Sequence, residues 1–158
     1  IAFKPHPRLK NELYNHKMWG VEKTEEYYNL WKTMPNTQLE LGEYIDLFKS
    51  SDALIHDSGS FIIEYMYVNK PALFISEDIE SLSRDRNQLT AEALACHYVC
   101  STAEQIESFI NNVVLEGNDT MEGERINFIE KYLKQDSRSV AEKTYDNIVN
   151  SIWRSVNK

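Results

Sequence analysis

The chain is 158 residues long, the length of one ordinary domain, and 42% apolar and 27% charged residues give it the balance of a globular protein, neither disordered nor fibrous. Its formal charge of −8, from 17 basic against 25 acidic residues, argues against nucleic acid as a partner, because neutralising a phosphate backbone takes clustered Lys and Arg. No run of about 18 apolar residues is present, so a soluble chain without a membrane-spanning helix is expected.

Short apolar runs alternate with helical patterns along the chain, the signature of an α/β fold built on a Rossmann-like parallel sheet with helices on both faces. Residues 1–4 read as a first strand that runs straight into Pro5-His6-Pro7, so no secretory leader is expected, and an opening inside a strand marks the chain as a piece of a longer protein. Helical patterns follow at 8–16 and 23–34, and Tyr27, Tyr28 and Trp31 in the second have the spacing of a core face. A strand at 37–41 and a helix at 44–49 lead to a buried strand at 53–56. The small residues Asp57-Ser58-Gly59-Ser60 come next, then a helix at 60–68 and a strand at 72–75.

Residues 76–86 are polar and acidic apart from Ile79 and Leu82, and read as a flexible loop edging a site. A helix at 87–95 and a strand at 98–100 follow. The helix at 103–115 is announced by Thr102 and Gln105, a capping box, and closed by Gly117-Asn118. Beyond it only helices are expected, at 122–134 and 139–156. In the last, Tyr145, Ile148, Val149, Ile152, Trp153 and Val156 make one apolar stripe, packed either on this domain's own sheet or, at Trp153 above all, on a missing partner domain. Cys96 and Cys100 flank His97-Tyr98-Val99 without a second ligand pair, so no metal is expected.

Two constellations carry chemistry. The step from strand 53–56 through Ser58, Gly59 and Ser60 into a helix aims the unpaired N–H groups of a helix start at the carboxyl end of a parallel strand, which is where such sheets hold anions. Glu64 follows Ser60 by four residues and so lies on the same helix face, about 6 Å further along the axis, where a carboxylate accepts hydrogen bonds from vicinal ribose hydroxyls. The same segment also reads as a plainly capped helix with a solvated Glu. At the end of the first strand, two prolines fix His6 where a ligand would lie, as a donor to phosphate oxygens or as an acid or base, or else as an ordinary turn residue. Lys4 and Asp57 are expected to support these groups from behind. His56 reads as supporting the turn or simply as packed.

Lys4-Pro5-His6-Pro7, Tyr44-Ile45-Asp46-Leu47-Phe48, the run from Ser51 to Ser60, Glu64-Tyr65 and Asn69-Lys70-Pro71 together resemble the C-terminal half of the CDP-glycerol glycerophosphotransferase family, which makes teichoic-acid-like polymers. Arg125-Ile126-Asn127-Phe128-Ile129 and Tyr132 resemble that family's closing helices. The resemblance implies a GT-B architecture with residues 1–158 as its C-terminal, nucleotide-holding half, acting without a metal or cofactor. It implies that His6 lies near the pyrophosphate and that Ser58, Gly59 and Ser60 form the phosphate turn, with a base supplied by the absent N-terminal domain. The partners implied are a CDP-activated donor and a hydroxyl acceptor, lipid-linked acceptors included. The place implied is the cytoplasm, with attachment at the inner membrane face through the absent part.

Many members of that family have Asp-Tyr-Ser-Ser where this chain has Asp57-Ser58-Gly59-Ser60, which is closer to the Asp-Ser-Gly-Gly of UDP-N-acetylglucosamine 2-epimerases. UDP-sugar epimerisation or glycosyl transfer on the same fold, and a non-catalytic binding module, are therefore the alternative readings. The context from Phe61 to Tyr65 and Asn69-Lys70-Pro71 favours the transferase.

Overall fold

The computed structural model of the chain describes residues 1–78, 87–134 and 138–156 and has an α/β, Rossmann-like architecture. Its strands pair in parallel, in one sheet of two and one of three. The chain divides into two compact units, residues 1–51 and the remainder from Asp52.

The first unit contains β1 (Ala2–Phe3), α1 (Leu9–Asn15), α2 (Gly20–Thr33), β2 (Gln38–Leu39) and α3 (Ile45–Ser50). β1 and β2 are parallel, with Ala2 opposite Gln38 and Phe3 opposite Leu39. Phe3 stacks on Trp31 at 4.9 Å between ring centroids and meets Tyr27 and Tyr28 edge-on, so the aromatic stretch of α2 is core, as its spacing indicated. α2 starts three residues before the expected position. Gly20 makes that start possible with φ of +70°, a value costly for any residue with a Cβ.

The second unit runs through β3 (Leu54–His56), α4 (Phe61–Glu64), a 3₁₀ turn (Tyr65–Val68), β4 (Ala72–Ile75), α5 (Gln88–Leu94) and β5 (Tyr98–Cys100). Three helices complete it: α6 (Ala103–Ser108), α7 (Glu122–Phe128) and α8 (Val140–Val156). α6 continues as a π-helix at Phe109–Leu115, and α7 does the same at Ile129–Leu133. β4 lies between its two neighbours, with His56 opposite Phe74 and Phe74 opposite Val99. Because side chains alternate along a strand, β4 feeds two cores. Phe74 packs with Ile62, Met66, Ala93, Leu94, Cys96 and Phe128, while Leu73 packs with Cys100, Phe109 and Val113. Helices therefore cover both faces of this sheet, and each large side chain so buried contributes about 1.5–3 kcal/mol.

Local signals set the boundaries. The Thr102 side chain accepts a hydrogen bond from the Gln105 N–H, and the Gln105 side chain closes the box on the Thr102 N–H. Asn87 caps α5 by accepting from the Thr90 N–H at 2.9 Å. Asn69 ends the 3₁₀ turn at φ of 50°, a left-handed conformation that Asn tolerates better than most residues, and Lys70-Pro71 then lead into β4. On α7, Arg125 is 1% exposed and donates two hydrogen bonds to Asp119, which also accepts from the Tyr98 hydroxyl at 3.0 Å. This network ties α7 to β5.

Part of the loop expected at 76–86, residues 79–86, lies outside the described residues. On α8, Tyr145, Ile148, Val149, Ile152 and Trp153 are exposed. None of the described helices is long and apolar enough to cross a membrane.

Candidate functional site

The chain leaves β3 at His56, turns through Asp57, Ser58, Gly59 and Ser60, and enters α4 at Phe61. Asp57, Gly59 and Ser60 are exposed and Ser58 is half-buried. The Ser58 and Ser60 hydroxyls share a hydrogen bond at 3.2 Å. The Ser60 carbonyl accepts from the Ile63 and Glu64 N–H groups at 3.3 and 3.2 Å, so the first helical turn is formed, although Ser60 places no side-chain cap on it. Donors at the start of a helix have no intrahelical acceptor, and here they lie at the carboxyl end of a parallel strand. Glu64, half-buried, closes the α-helical turn that Ser60 begins, in keeping with the expected spacing.

His56 stands directly behind this turn and is 7% exposed. Its Nδ1 lies 3.1 Å from the Ser58 carbonyl, and since a carbonyl only accepts, Nδ1 carries the proton and donates. The ring packs edge-on against Phe74 at 5.2 Å and against His97 at 5.3 Å. His97, 3% exposed, makes the same kind of bond, from Nδ1–H to the Ala93 carbonyl at 2.9 Å. Burial, with the neighbouring His97 adding to it against the opposing Ser58 bond, brings the His56 pKa down to about 3. Burial, with the Arg125 charge behind it, brings His97 down to about 4 although its bond to Ala93 works the other way. Both rings are neutral at neutral pH. Their place in the chain does not reveal this pairing, since 41 positions separate them and only the β3-β4-β5 order brings their rings together.

The remaining candidates belong to the first unit. Lys4 is half-buried, Pro5 buried and His6 exposed at the end of β1. The Arg8 N–H donates to His6 Nδ1 at 3.2 Å, and the Leu9 N–H donates to the His6 carbonyl at 2.9 Å. Neutral His6 therefore holds its proton on Nε2, the atom left to meet a ligand. The structure thus gathers Asp57, Ser58, Gly59, Ser60 and Glu64 in one turn of the second unit and sets Lys4 and His6 at a strand end of the first. Among the described residues no group of three or more His, Cys, Asp or Glu side chains is arranged to hold a metal ion. Cys96 and Cys100 are buried thiols, and burial pushes both pKa values up.

The model of the family described as CDP-glycerol:poly(glycerophosphate) glycerophosphotransferase matches residues 1–150. The chain belongs to that family. Among its relatives is the teichoic acid ribitol-phosphate polymerase TarL of Staphylococcus aureus (strain NCTC 8325 / PS 47), 28% identical over 153 residues. That alignment covers 88% of this chain and 22% of the relative, so the chain spans less than a quarter of the curated protein it matches. No solved structure matches the chain.

Proposed function

We propose that the chain is the nucleotide-holding half of a two-domain, GT-B-type transferase. It moves glycerol phosphate, or a similar polyol phosphate such as that named for its staphylococcal relative, from a CDP-activated donor to a hydroxyl acceptor in cell-surface polymer synthesis. The observation that carries this reading is the Ser58-Gly59-Ser60 turn, with Gly59 and Ser60 exposed, at the carboxyl end of β3, in a chain that the family matches over residues 1–150.

In this reading the turn's N–H groups and the two serine hydroxyls hold diphosphate oxygens, and Glu64 accepts from ribose hydroxyls one helical turn away. The acceptor oxygen attacks the phosphorus of the polyol phosphate, its proton passes to a base in the rest of the protein, and the phosphoanhydride bond to CMP breaks. Charge gathering on the departing CMP is met by the turn donors, and the role carried over to His6 is that of a donor to phosphate oxygens through Nε2–H. The enzyme works in the cytoplasm, at the inner membrane face through its remaining part.

Titration calorimetry with CDP, UDP and CDP-glycerol tests this. Binding of CDP and CDP-glycerol over UDP is expected. Preference for UDP would overturn the proposal in favour of the epimerase or glycosyltransferase reading, and absence of any nucleotide affinity would favour a non-catalytic module.

A further inference from the structure

A polar ring is buried directly under the proposed phosphate turn, where an aliphatic side chain would pack at lower cost. The last, inward-facing residue of β3 is the buried one of the strand, a place that ordinarily takes an apolar side chain, and β3 supplies His56 there, 7% exposed. Burying an imidazole is unfavourable unless its polar atoms are used. His56 uses Nδ1–H, on the carbonyl of Ser58 two residues ahead. The ring also meets Phe74 of β4 at 5.2 Å, His97 before β5 at 5.3 Å and Phe61 of α4 at 6.2 Å between centroids, so it is packed by rings on several sides.

Fixing that carbonyl also fixes a donor. The peptide group joining Ser58 to Gly59 is planar and trans, which sets its C=O and N–H in opposite directions. With the carbonyl drawn inward to a buried ring, the Gly59 N–H is turned away from the core, on the exposed side of the chain. We propose that His56, backed by His97, is a positioning residue of the phosphate turn: by holding the Ser58 carbonyl it aims the Gly59 N–H at the bound phosphate. The inference rests on the reading of this turn as a phosphate site, and it adds a residue that touches no substrate.

Asparagine and leucine at position 56 separate the two parts of the claim. His56→Asn places an amide N–H close to where Nδ1–H stands, whereas His56→Leu fills the space and donates nothing. In the wild-type chain, NMR should show a protonated Nδ1 on His56 and a through-hydrogen-bond coupling from it to the Ser58 carbonyl carbon. His56→Leu should shift the Ser58 carbonyl and Gly59 amide signals and weaken CDP or inorganic pyrophosphate binding by about five- to tenfold, the worth of one hydrogen bond. His56→Asn should restore the signals and bring affinity back to within about twofold of wild type, a rescue that loss of packing alone would not give.

Wild-type affinity in His56→Leu, or equal weakening in both variants with the Phe128 core signals unchanged, overturns the proposal. If the wild-type chain binds neither probe, the phosphate reading fails on its own account, and an unmoved Ser58 carbonyl signal in His56→Leu then overturns the positioning role independently.

Discussion

Arg125 reaches from α7 to Asp119 through two guanidinium nitrogens, with its own side chain 1% exposed and that of Asp119 16% exposed. Partial burial pushes the Asp119 carboxyl up, but the hydrogen bond and charge of Arg125 together with the bonds from the Tyr98 hydroxyl and the Met121 N–H hold the carboxyl below its ordinary value. Removing one partner of such a pair leaves the other charge buried and uncompensated. Arg125→Met is therefore expected to lose about 3–5 kcal/mol of stability in urea unfolding. Tyr98→Phe, which removes one hydrogen bond to the same carboxylate, is expected to lose about 1 kcal/mol.

The buried histidines predict a pH dependence with a definite sign. Their folded-state pKa values, about 3 for His56 and about 4 for His97, lie below the ordinary 6.5 of an unfolded chain. The stability tied to their neutral forms is thus complete above pH 6.5 and drains as the pH falls toward 4 and then 3, because the unfolded chain takes up protons that the native one refuses. Each histidine contributes a slope of at most about 1.4 kcal/mol per pH unit. Urea midpoints measured between pH 6.5 and 5 should fall steadily, and less steeply in His97→Leu. Equal slopes in the two proteins would contradict the neutral pair.

The capping box of α6 makes a smaller claim. Thr102→Ala removes the acceptor for the Gln105 N–H and is expected to cost about 1 kcal/mol, read from the thermal or urea midpoint, with the fold otherwise intact.

Turnover tests the strand-end histidine. His6→Ala in the full-length enzyme is expected to lower polymer formation by about a hundredfold or more, the effect of losing a donor to developing charge, with a smaller effect on nucleotide affinity. Ser58→Ala acts the other way round, weakening CDP binding while leaving the helices intact by circular dichroism. Undiminished turnover in His6→Ala would remove that residue from the mechanism.

Much of the fold is written locally. Residues 72–75 and 98–100 are strands in the structure with the bounds their apolar runs indicate, and Asn87, Thr102 and Gly117 mark helix ends by chemistry that acts within four residues. Two features are not local. The division of the parallel ladders between two sheets depends on which strands pair, whereas periodicity reports only which residues are extended. The π-helical ends of α6 and α7 leave the extent of the first helix as read and end the second at Leu133, one residue short of the expected 134, but change the hydrogen-bond partners, which apolar spacing does not encode. The turn at 57–60 was legible because small residues and a strand end lie side by side in the chain. The ring that holds it was not, since the value of His56 comes from Phe74 and His97, distant residues that meet it only across the sheet.

The exposed apolar stripe of α8 bears on how the chain behaves in dilute solution. A helix of 17 residues has marginal stability in water by itself and gains most of its persistence from what its oily side lies against. Tyr145, Ile148, Val149, Ile152 and Trp153 are all exposed, so burial of that stripe adds little to the persistence of α8. The helical signal in far-ultraviolet circular dichroism then becomes a gauge: it rises when that stripe is given a surface to rest on and falls when it is left wet.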